Sequence, residues 1–249
     1  MAHYPEMKGR AAIITGGSGG IGMATAHALA QNGARVFIAD VAQDSIDAAV
    51  AGIAAAGGEA AGGRVDVRDE AQVQAMVDAC VKRFSGVDYL VNCAGIFKHV
   101  PFMRMRLDEW QETLDINLTG TFLCMQKCLE RMIPAKYGRI VNLSSHAAVR
   151  GSALHAHYCA SKEGIVGLTR AVMREVSEHG IRVNCIAPDI IKTRLTMTRD
   201  EQRQKQWQKR IPMGRFGEPS ECADLILYLL SDASSYITGQ NIWITGGTL

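Results

Sequence analysis

The sequence has little net charge, 27 basic against 25 acidic side chains for a formal +2, and this near-balance argues against the strongly basic surface typical of nucleic-acid binders. It has no uninterrupted apolar run near the roughly eighteen residues that a membrane span needs; the best stretch, Leu225 to Leu230, is short and follows Asp224. The residues ahead of the first strand-like run include Pro5, Glu6, Lys8 and Arg10. They leave no place for the apolar stretch of a secretory signal, so the expected location is cytoplasmic. The seven cysteines (Cys80, Cys93, Cys124, Cys128, Cys159, Cys185, Cys222) include no C-x-x-C pair and sit in apolar periodic segments, which reads as reduced core residues. His155 and His157 flank Tyr158 without a Cys or carboxylate at a ligand spacing, and no metal is expected. Linkers, internal repeats and shifts of composition are also missing. With 47% apolar and 21% charged residues among 249, the chain is an ordinary globular one, expected to form a single domain over residues 1–249.

Apolar, β-branched runs recur at Ala11 to Thr15, Arg35 to Ala39, Arg64 to Val67, Tyr89 to Val91, Arg139 to Leu143, Arg182 to Ile186 and Ile242 to Ile244. Segments of helical periodicity lie between most of them. Strand and helix in alternation mean βαβ units, hence an α/β fold: a Rossmann-type, doubly wound parallel sheet with helices on both faces. The Ala-rich helix from about Ala42 to Ala56 should stop at the glycines 57, 58, 62 and 63. Residues 193–217, with Pro212 and many charges, break the alternation and make a lid candidate.

Immediately after the first strand comes Thr15-Gly16-Gly17-Ser18-Gly19-Gly20-Ile21-Gly22, with an apolar helix pattern starting inside it. Glycines there let backbone N–H groups approach a pyrophosphate at a helix N-terminus. The run fits G-x-G-x-x-G through Gly17, Gly19 and Gly22, and equally T-G-x-x-x-G-x-G through Gly16, Gly20 and Gly22. The second strand ends in Asp40, where a carboxylate can accept both ribose hydroxyls of an adenosine, which favours NAD. A 2′-phosphate would bring nearly two negative charges against Asp40, and no Lys or Arg stands at 17, 18, 41 or 42 to compensate.

Tyr158 and Lys162, four residues apart in the helical segment His155 to Ser177, share one helix face. The spacing alone is weak, because Tyr4 and Lys8 match it too without a helix. What raises Tyr158 is Ser144 and Ser145 at the end of the strand Arg139 to Leu143, the sheet edge where such folds place ligands. Tyrosine titrates near 10, so proton exchange close to pH 7 or 8 needs roughly 3 to 4 kcal/mol. A lysine charge about 5 Å away at an effective dielectric near 20 supplies roughly 3.3 kcal/mol.

With Asp66-Val67, Asn92-x-Ala94-Gly95, Asn117, Pro188 and Thr193 added, the chain resembles the short-chain dehydrogenase/reductase family over essentially its whole length. The resemblance implies that Tyr158 exchanges the proton, that Lys162 lowers its pKa and holds the nicotinamide ribose, that Ser145 rather than Ser144 bonds the substrate oxygen, and that Asn117 positions a relay water. It also implies a cofactor site of Gly16, Ser18, Gly20, Ile21, Gly22 and Asp40, with Asp66 and Val67 at the adenine, Asn92 and Gly95 in the cleft wall, Pro188, Ile191 and Thr193 at the nicotinamide, and Tyr158 contacting the cofactor along with Lys162. Three positions depart from the family pattern: Cys93 for a second Asn, Asp189 for Gly, and Thr245 for a strand-end Asp. A carboxylate at 189 would favour the oxidised, cationic ring and bias the enzyme toward alcohol oxidation.

The expected reaction is hydride transfer between NAD(H) and a secondary alcohol or ketone, a small molecule of compact alicyclic or aromatic form. The candidate substrate walls are largely apolar: Ile96, Phe97, residues His146 to Val149, His155, and the lid's Leu195, Trp207 and Met213. Seven basic and two acidic residues between Arg194 and Arg215 suit the rival reading, a 3-oxoacyl thioester reductase meeting an acidic carrier; Asp40 counts against it, because such reductases generally resemble NADP users. A dinucleotide-sensing regulator is the non-enzyme alternative, disfavoured by the complete set of Ser145, Tyr158, Lys162 and Asn117. Spare apolar surface on Leu107 to Ile133 and His155 to Ser177 points to self-association, by resemblance as a homotetramer.

Overall fold

Alternation along each strand decides which core layer a side chain enters. Strand β1 (Ala11–Thr15) sends Ala12 and Ile14 to one layer and Ala11 and Ile13 to the other. β2 (Arg35–Asp40) divides Val36 and Ile38 from Phe37 and Ala39 in the same way. Helices α1 (Gly20–Gln31), α2 (Gln43–Ala55) and α9 (Pro219–Leu230) close the first layer, contributing Leu29, Ile46 and Leu227. α3 (Glu70–Phe84), α5 (Gly120–Ala135) and α7 (Ala156–Val176) close the second, with Val77, Leu123 and the partly buried Leu168. A sheet apolar on both faces has to be covered twice, and this one is. The computed structural model describes residues 3–194, 196–197 and 200–248, with Arg203 in backbone only.

Among the described residues, β1 and β2 join β3 (Glu59–Arg64), β4 (Tyr89–Asn92), β5 (Gly138–Leu143), β6 (Ile181–Pro188) and β7 (Asn241–Ile244) in one sheet. The order is β3-β2-β1-β4-β5-β6-β7, every pair parallel. It reverses direction between β1 and β4, so the carboxyl ends of these strands flank a crevice, the usual ligand position in an open α/β sheet.

Two elements differ from the sequence expectation. The third strand is Glu59–Arg64 rather than Arg64 to Val67, so the glycines 62 and 63 lie in the strand. Tertiary packing overrides their poor strand propensity: a Cβ on Gly62 would stand 2.5 Å from Ile46 Cγ2, so α2 can press onto this edge strand only over a glycine. The expected helix from Leu107 to Ile133 is interrupted. α4 (Leu107–Leu114) passes through a π-helical turn, Asp115–Thr119, into α5. π turns concentrate at functional sites, and this one carries Asn117. The segment 193–217 holds the polar helix α8 (Glu201–Gln208).

Arg182 locks the far end of the sheet to α9. It is 6% exposed and donates to Leu229 O at 3.0 Å, Ser234 O at 2.7 Å, Ser234 Oγ at 2.6 Å and Ser231 O at 2.7 Å. Leu229 O is one of the carbonyls that a helix C-terminus leaves without an intrahelical partner. Arg182→Met removes four charge-assisted hydrogen bonds, although Ser234 Oγ still reaches Leu229 O and Ser231 O and Ile237 N still reaches Ser234 O, and should lower the unfolding free energy by about 2 kcal/mol; an unchanged urea midpoint would refute the assignment.

Candidate active site

The crevice at the strand ends is a cleft of about 1060 Å³ running from Asp40 and Arg64 at one end to Tyr158, Pro188 and Thr193 at the other. That volume lies at the upper limit of small-molecule sites, about 300 to 1,000 Å³. Its floor is the loop between β1 and α1. Gly16 has φ +62°, and a Cβ there would meet Ala94 N at 2.8 Å; a Cβ on Gly22 would sit 2.2 Å from Gly16 O. Gly16, Gly20 and Gly22 line the cleft with Ser18, Gly19 and Ile21, whereas Gly17 packs beneath it against Ile14 O. Of the two overlapping patterns, Gly16, Gly20 and Gly22 all line the cleft, whereas the other has Gly17 beneath it.

At the end of β2, the Asp40 carboxylate accepts from Ser18 Oγ at 2.6 Å, Ser18 N at 3.2 Å and Val41 N at 2.8 Å. No Lys or Arg is adjacent in the chain at positions 17, 18, 41 or 42. The sheet brings two from elsewhere: Arg64 pairs in register with Asp40 across β2–β3, and Arg68 also lines the cleft. Strand register was the signal needed, and misplacing the third strand hid it. Arg68 is engaged, binding Asp66 through both oxygens at 2.6 to 3.1 Å and holding that carboxyl below its usual range. Arg64 is exposed and makes no side-chain hydrogen bond or ion pair recorded among the described residues.

At the other end, β5 delivers Ser144 and Ser145, and their alternation separates them. Ser144 Oγ donates to Lys162 O at 2.9 Å, whereas Ser145 caps α6 (His146–Arg150) by accepting from Ala147 N at 3.3 Å and lies within hydrogen-bond reach of the Tyr158 hydroxyl. Helix α7 presents Tyr158 and Lys162 on the same face, with Nζ 5.8 Å from the tyrosine ring centroid. Lys162 is 5% exposed and donates to Leu143 O at 2.7 Å.

The electrostatics differ from the sequence estimate. Burial pulls Lys162 down to about 8. It pushes Tyr158 above its ordinary value despite the bond to Ser145. The lysine's charge is aimed at a carbonyl rather than the phenol, so desolvation outweighs it, and lysine alone does not deliver the expected drop.

Asn117 lies behind the cleft wall. It is fully buried, with Oδ1 accepting from Ile96 N at 2.8 Å and Nδ2 donating to Ile96 O at 3.1 Å and Ser161 Oγ at 3.0 Å. Ser161, absent from the sequence reading, donates in turn to Tyr158 O at 2.7 Å. Gly95 makes room for this junction: a Cβ there would stand 3.1 Å from Asn117 Oδ1 and 3.5 Å from Lys162 Nζ.

Asp66, Val67, Gly95, Pro188, Ile191 and Thr193 line the cleft. Asn92 is not at its surface; its Nδ2 is drawn back to Asn142 Oδ1 at 2.8 Å. His146 is likewise displaced from the substrate wall, 1% exposed and tilted on Trp243 with ring centroids 5.1 Å apart. Phe97 and His155 stack at 4.2 Å outside the cleft lining, but Phe97 meets the Tyr158 ring edge-on at 4.8 Å, so the pair adjoins that ring. Met213 packs beside Gly246, Trp207 is off the cleft on the polar α8, and Leu195 lies outside the described residues. Cys93 lines the cleft as a thiol that burial pushes up to about 12. Asp189, expected to act on the nicotinamide, has a side chain 6% exposed and ion-paired with Arg150 at 3.2 Å. Among the described residues no helix is long and apolar enough to cross a membrane, and no group of three or more metal-ligating side chains gathers.

A family model described as enoyl-(acyl carrier protein) reductase matches residues 16–248. The chain is 37% identical over 242 residues to a 3-oxoacyl-(acyl-carrier-protein) reductase of Thermotoga maritima, covering 97% of this chain and 98% of the relative. It is 41% identical over 239 residues to the Synechocystis sp. reductase of the same name, 95% of each chain. A D-threitol dehydrogenase of Mycolicibacterium smegmatis is 40% identical over 243 residues, 97% of this chain and 94% of that one. Among solved structures, levodione reductase superposes with a TM-score of 0.91 at 34% identity, covering 96% of this chain and 97% of the other.

Proposed function

The chain belongs to the short-chain dehydrogenase/reductase family and is an oxidoreductase, and on that premise we propose that it transfers hydride between NAD(H) and a secondary alcohol or ketone, a compact alicyclic or aromatic one. The observation that carries the cofactor assignment is Asp40, held by Ser18 and Val41 N at the end of β2 with its carboxylate lining the cleft. Two ribose hydroxyls can donate to such a group, whereas a 2′-phosphate is repelled by it. The chain fits a dinucleotide: the Gly16–Gly22 cradle closes if a Cβ is added, and the N-terminus of α1 offers N–H groups to a pyrophosphate. Gly16, Ser18, Gly20, Ile21 and Gly22 would hold the phosphates, Asp40, Asp66 and Val67 the adenosine, and Lys162, Pro188, Ile191 and Thr193 the nicotinamide half. The cofactor, when bound, supplies the hydride acceptor or donor and, oxidised, a positive charge.

The chain's own residues manage the proton. Tyr158 gives its hydroxyl proton to the carbonyl oxygen in reduction and takes it back in oxidation. Ser145 donates a hydrogen bond to the same oxygen, favouring it as negative charge develops. Lys162 stands on the Tyr158 face of α7 and can change protonation near pH 8. Asn117 and Ser161 act through the backbone of Ile96 and Tyr158, holding the wall and the catalytic turn in register. Phe97, edge-on to the Tyr158 ring and backed by His155, puts an aromatic edge next to the cleft, which supports a ring substrate.

The second reading, reduction of a 3-oxoacyl thioester with NADPH, is favoured by the names of several relatives and by Arg64 beside Asp40. Absorbance assays with NAD⁺ and NADP⁺ over cyclic, aromatic and aliphatic alcohols separate the two. Turnover confined to NAD⁺ is the expected result; turnover confined to NADP⁺ overturns it. Asp40→Ala should raise kcat/KM for NADP⁺ by about tenfold, because it removes a charge worth about 1.4 kcal/mol and leaves Arg64 to meet the phosphate; no gain would mean that Arg64 does not reach the site.

Leu107 is 80% and Phe122 41% exposed on α4 and α5, which supports self-association through these helices and α7 into a homotetramer. A monomeric mass by light scattering at micromolar concentration would contradict it.

A further inference from the structure

Asp189 immediately follows the last residue of β6, and its N–H donates to Ile244 O of β7 at 3.0 Å. Asp189 lines the cleft beside Pro188, Ile191 and Thr193. With 6% of the side chain exposed, water screens this charge poorly, so it acts on whatever charge enters the adjoining cleft. Arg150, the last residue of α6 and not among the cleft-lining residues, answers it with NH2 3.2 Å from Oδ1, on a side chain 38% exposed. Among the described residues this is the ion pair recorded for Asp189. The neighbouring titratable group, His146, is pushed toward its neutral form by burial and adds no second cation.

We propose that Arg150 is a cofactor-specificity residue that masks Asp189, so that this ion pair sets the relative affinity of the site for the oxidised and reduced forms of the nicotinamide cofactor. The inference rests on the reading above, that the cleft binds NAD(H) with its nicotinamide near residues 188–193. NAD⁺ differs from NADH by a positive charge on the ring, so a bare carboxylate at 189 favours NAD⁺, and an unopposed Arg150 favours NADH. With both present the fields largely cancel. The bias toward oxidation that Asp189 suggests in the sequence is thereby suppressed in the folded chain.

The test is a double-mutant cycle on dissociation constants for NAD⁺ and NADH, read by fluorescence and calorimetry without substrate. Arg150→Met should shift the ratio of affinities toward NAD⁺ by about tenfold, equivalent to about 1.4 kcal/mol. Asp189→Asn should shift it toward NADH, by less, because Arg150 is further from the cleft and better screened. The double variant should return within about twofold of wild type, and Arg150→Lys should keep the wild-type ratio. Opposed shifts that cancel are not produced by a loss of packing, which weakens both forms alike. The proposal is overturned if both cofactor forms bind to Arg150→Met with an unchanged ratio, or if the two single variants shift it in the same direction. Should wild type bind neither form, the underlying cofactor reading falls and this proposal with it. Because Asp189→Asn reads the same pair from its other side, the cycle remains decisive if Arg150→Met does not fold.

Discussion

Tyr158→Phe should reduce kcat by about a thousandfold, within the range contributed by a positioned general acid, while NAD⁺ binding stays within about threefold of wild type. The substitution removes one oxygen. The ring keeps its edge-on contact with Phe97 and its place on α7, and the hydrogen bond lost is the one to Ser145. Nothing in the Gly16–Gly22 cradle or at Asp40 touches that oxygen. A variant retaining more than about a tenth of wild-type turnover would show that another group moves the proton. Loss of NAD⁺ binding in parallel would instead make the tyrosine a binding residue.

Lys162→Met should lower kcat by at least about a hundredfold, and its stability profile against pH separates that loss from a folding defect. Burial pulls the folded-state pKa of Lys162 to about 8, from an ordinary value of 10.5. Between those values the unfolded chain holds a proton that the folded chain has released, so stability rises with pH across this window. Below pH 8 both states are protonated and the full cost of burying the ammonium, about 3 kcal/mol, is present. The Met variant escapes that cost but leaves Leu143 O without its donor, a penalty of about 1 to 3 kcal/mol. At neutral pH the two effects largely offset each other, and the variant should be as stable as wild type or more stable by up to about 2 kcal/mol. From about pH 8 to about pH 10.5 wild type should gain about 3 kcal/mol relative to the variant, as measured by urea unfolding. A flat difference would mean that Lys162 titrates at its ordinary pKa, and that the site does not use burial to bring the lysine close to working pH.

Most of the fold was legible because the β-branched runs were strong and regularly interleaved with helices. Those at Ala11, Tyr89 and Arg139 became β1, β4 and β5 with bounds shifted by at most one residue. The failure at β3 came from a strand whose propensity is poor and whose formation depends on pairing with β2 and packing under α2, which local pattern does not reveal. The π turn at Asp115–Thr119 was hidden for a similar reason: the apolar periodicity continues through it, and only the clasp of Asn117 on Ile96 marks the change in winding.

The sequence by itself determined the alternation of strands and helices, the glycine run after β1, the carboxylate at the end of β2, and the four-residue spacing that puts Tyr158 and Lys162 on one face. Each is local: it follows from side-chain period or from backbone freedom at neighbouring positions. Tertiary structure alone decided what those residues face. It brought Arg64 alongside Asp40 through strand register, turned Asn92 and His146 away from the cleft, aimed Lys162 at Leu143 O, and set Arg150 against Asp189. Charge and burial act through space, over distances that chain separation does not encode. The residues of the site could therefore be named from the sequence, while their protonation and partners depended on the fold.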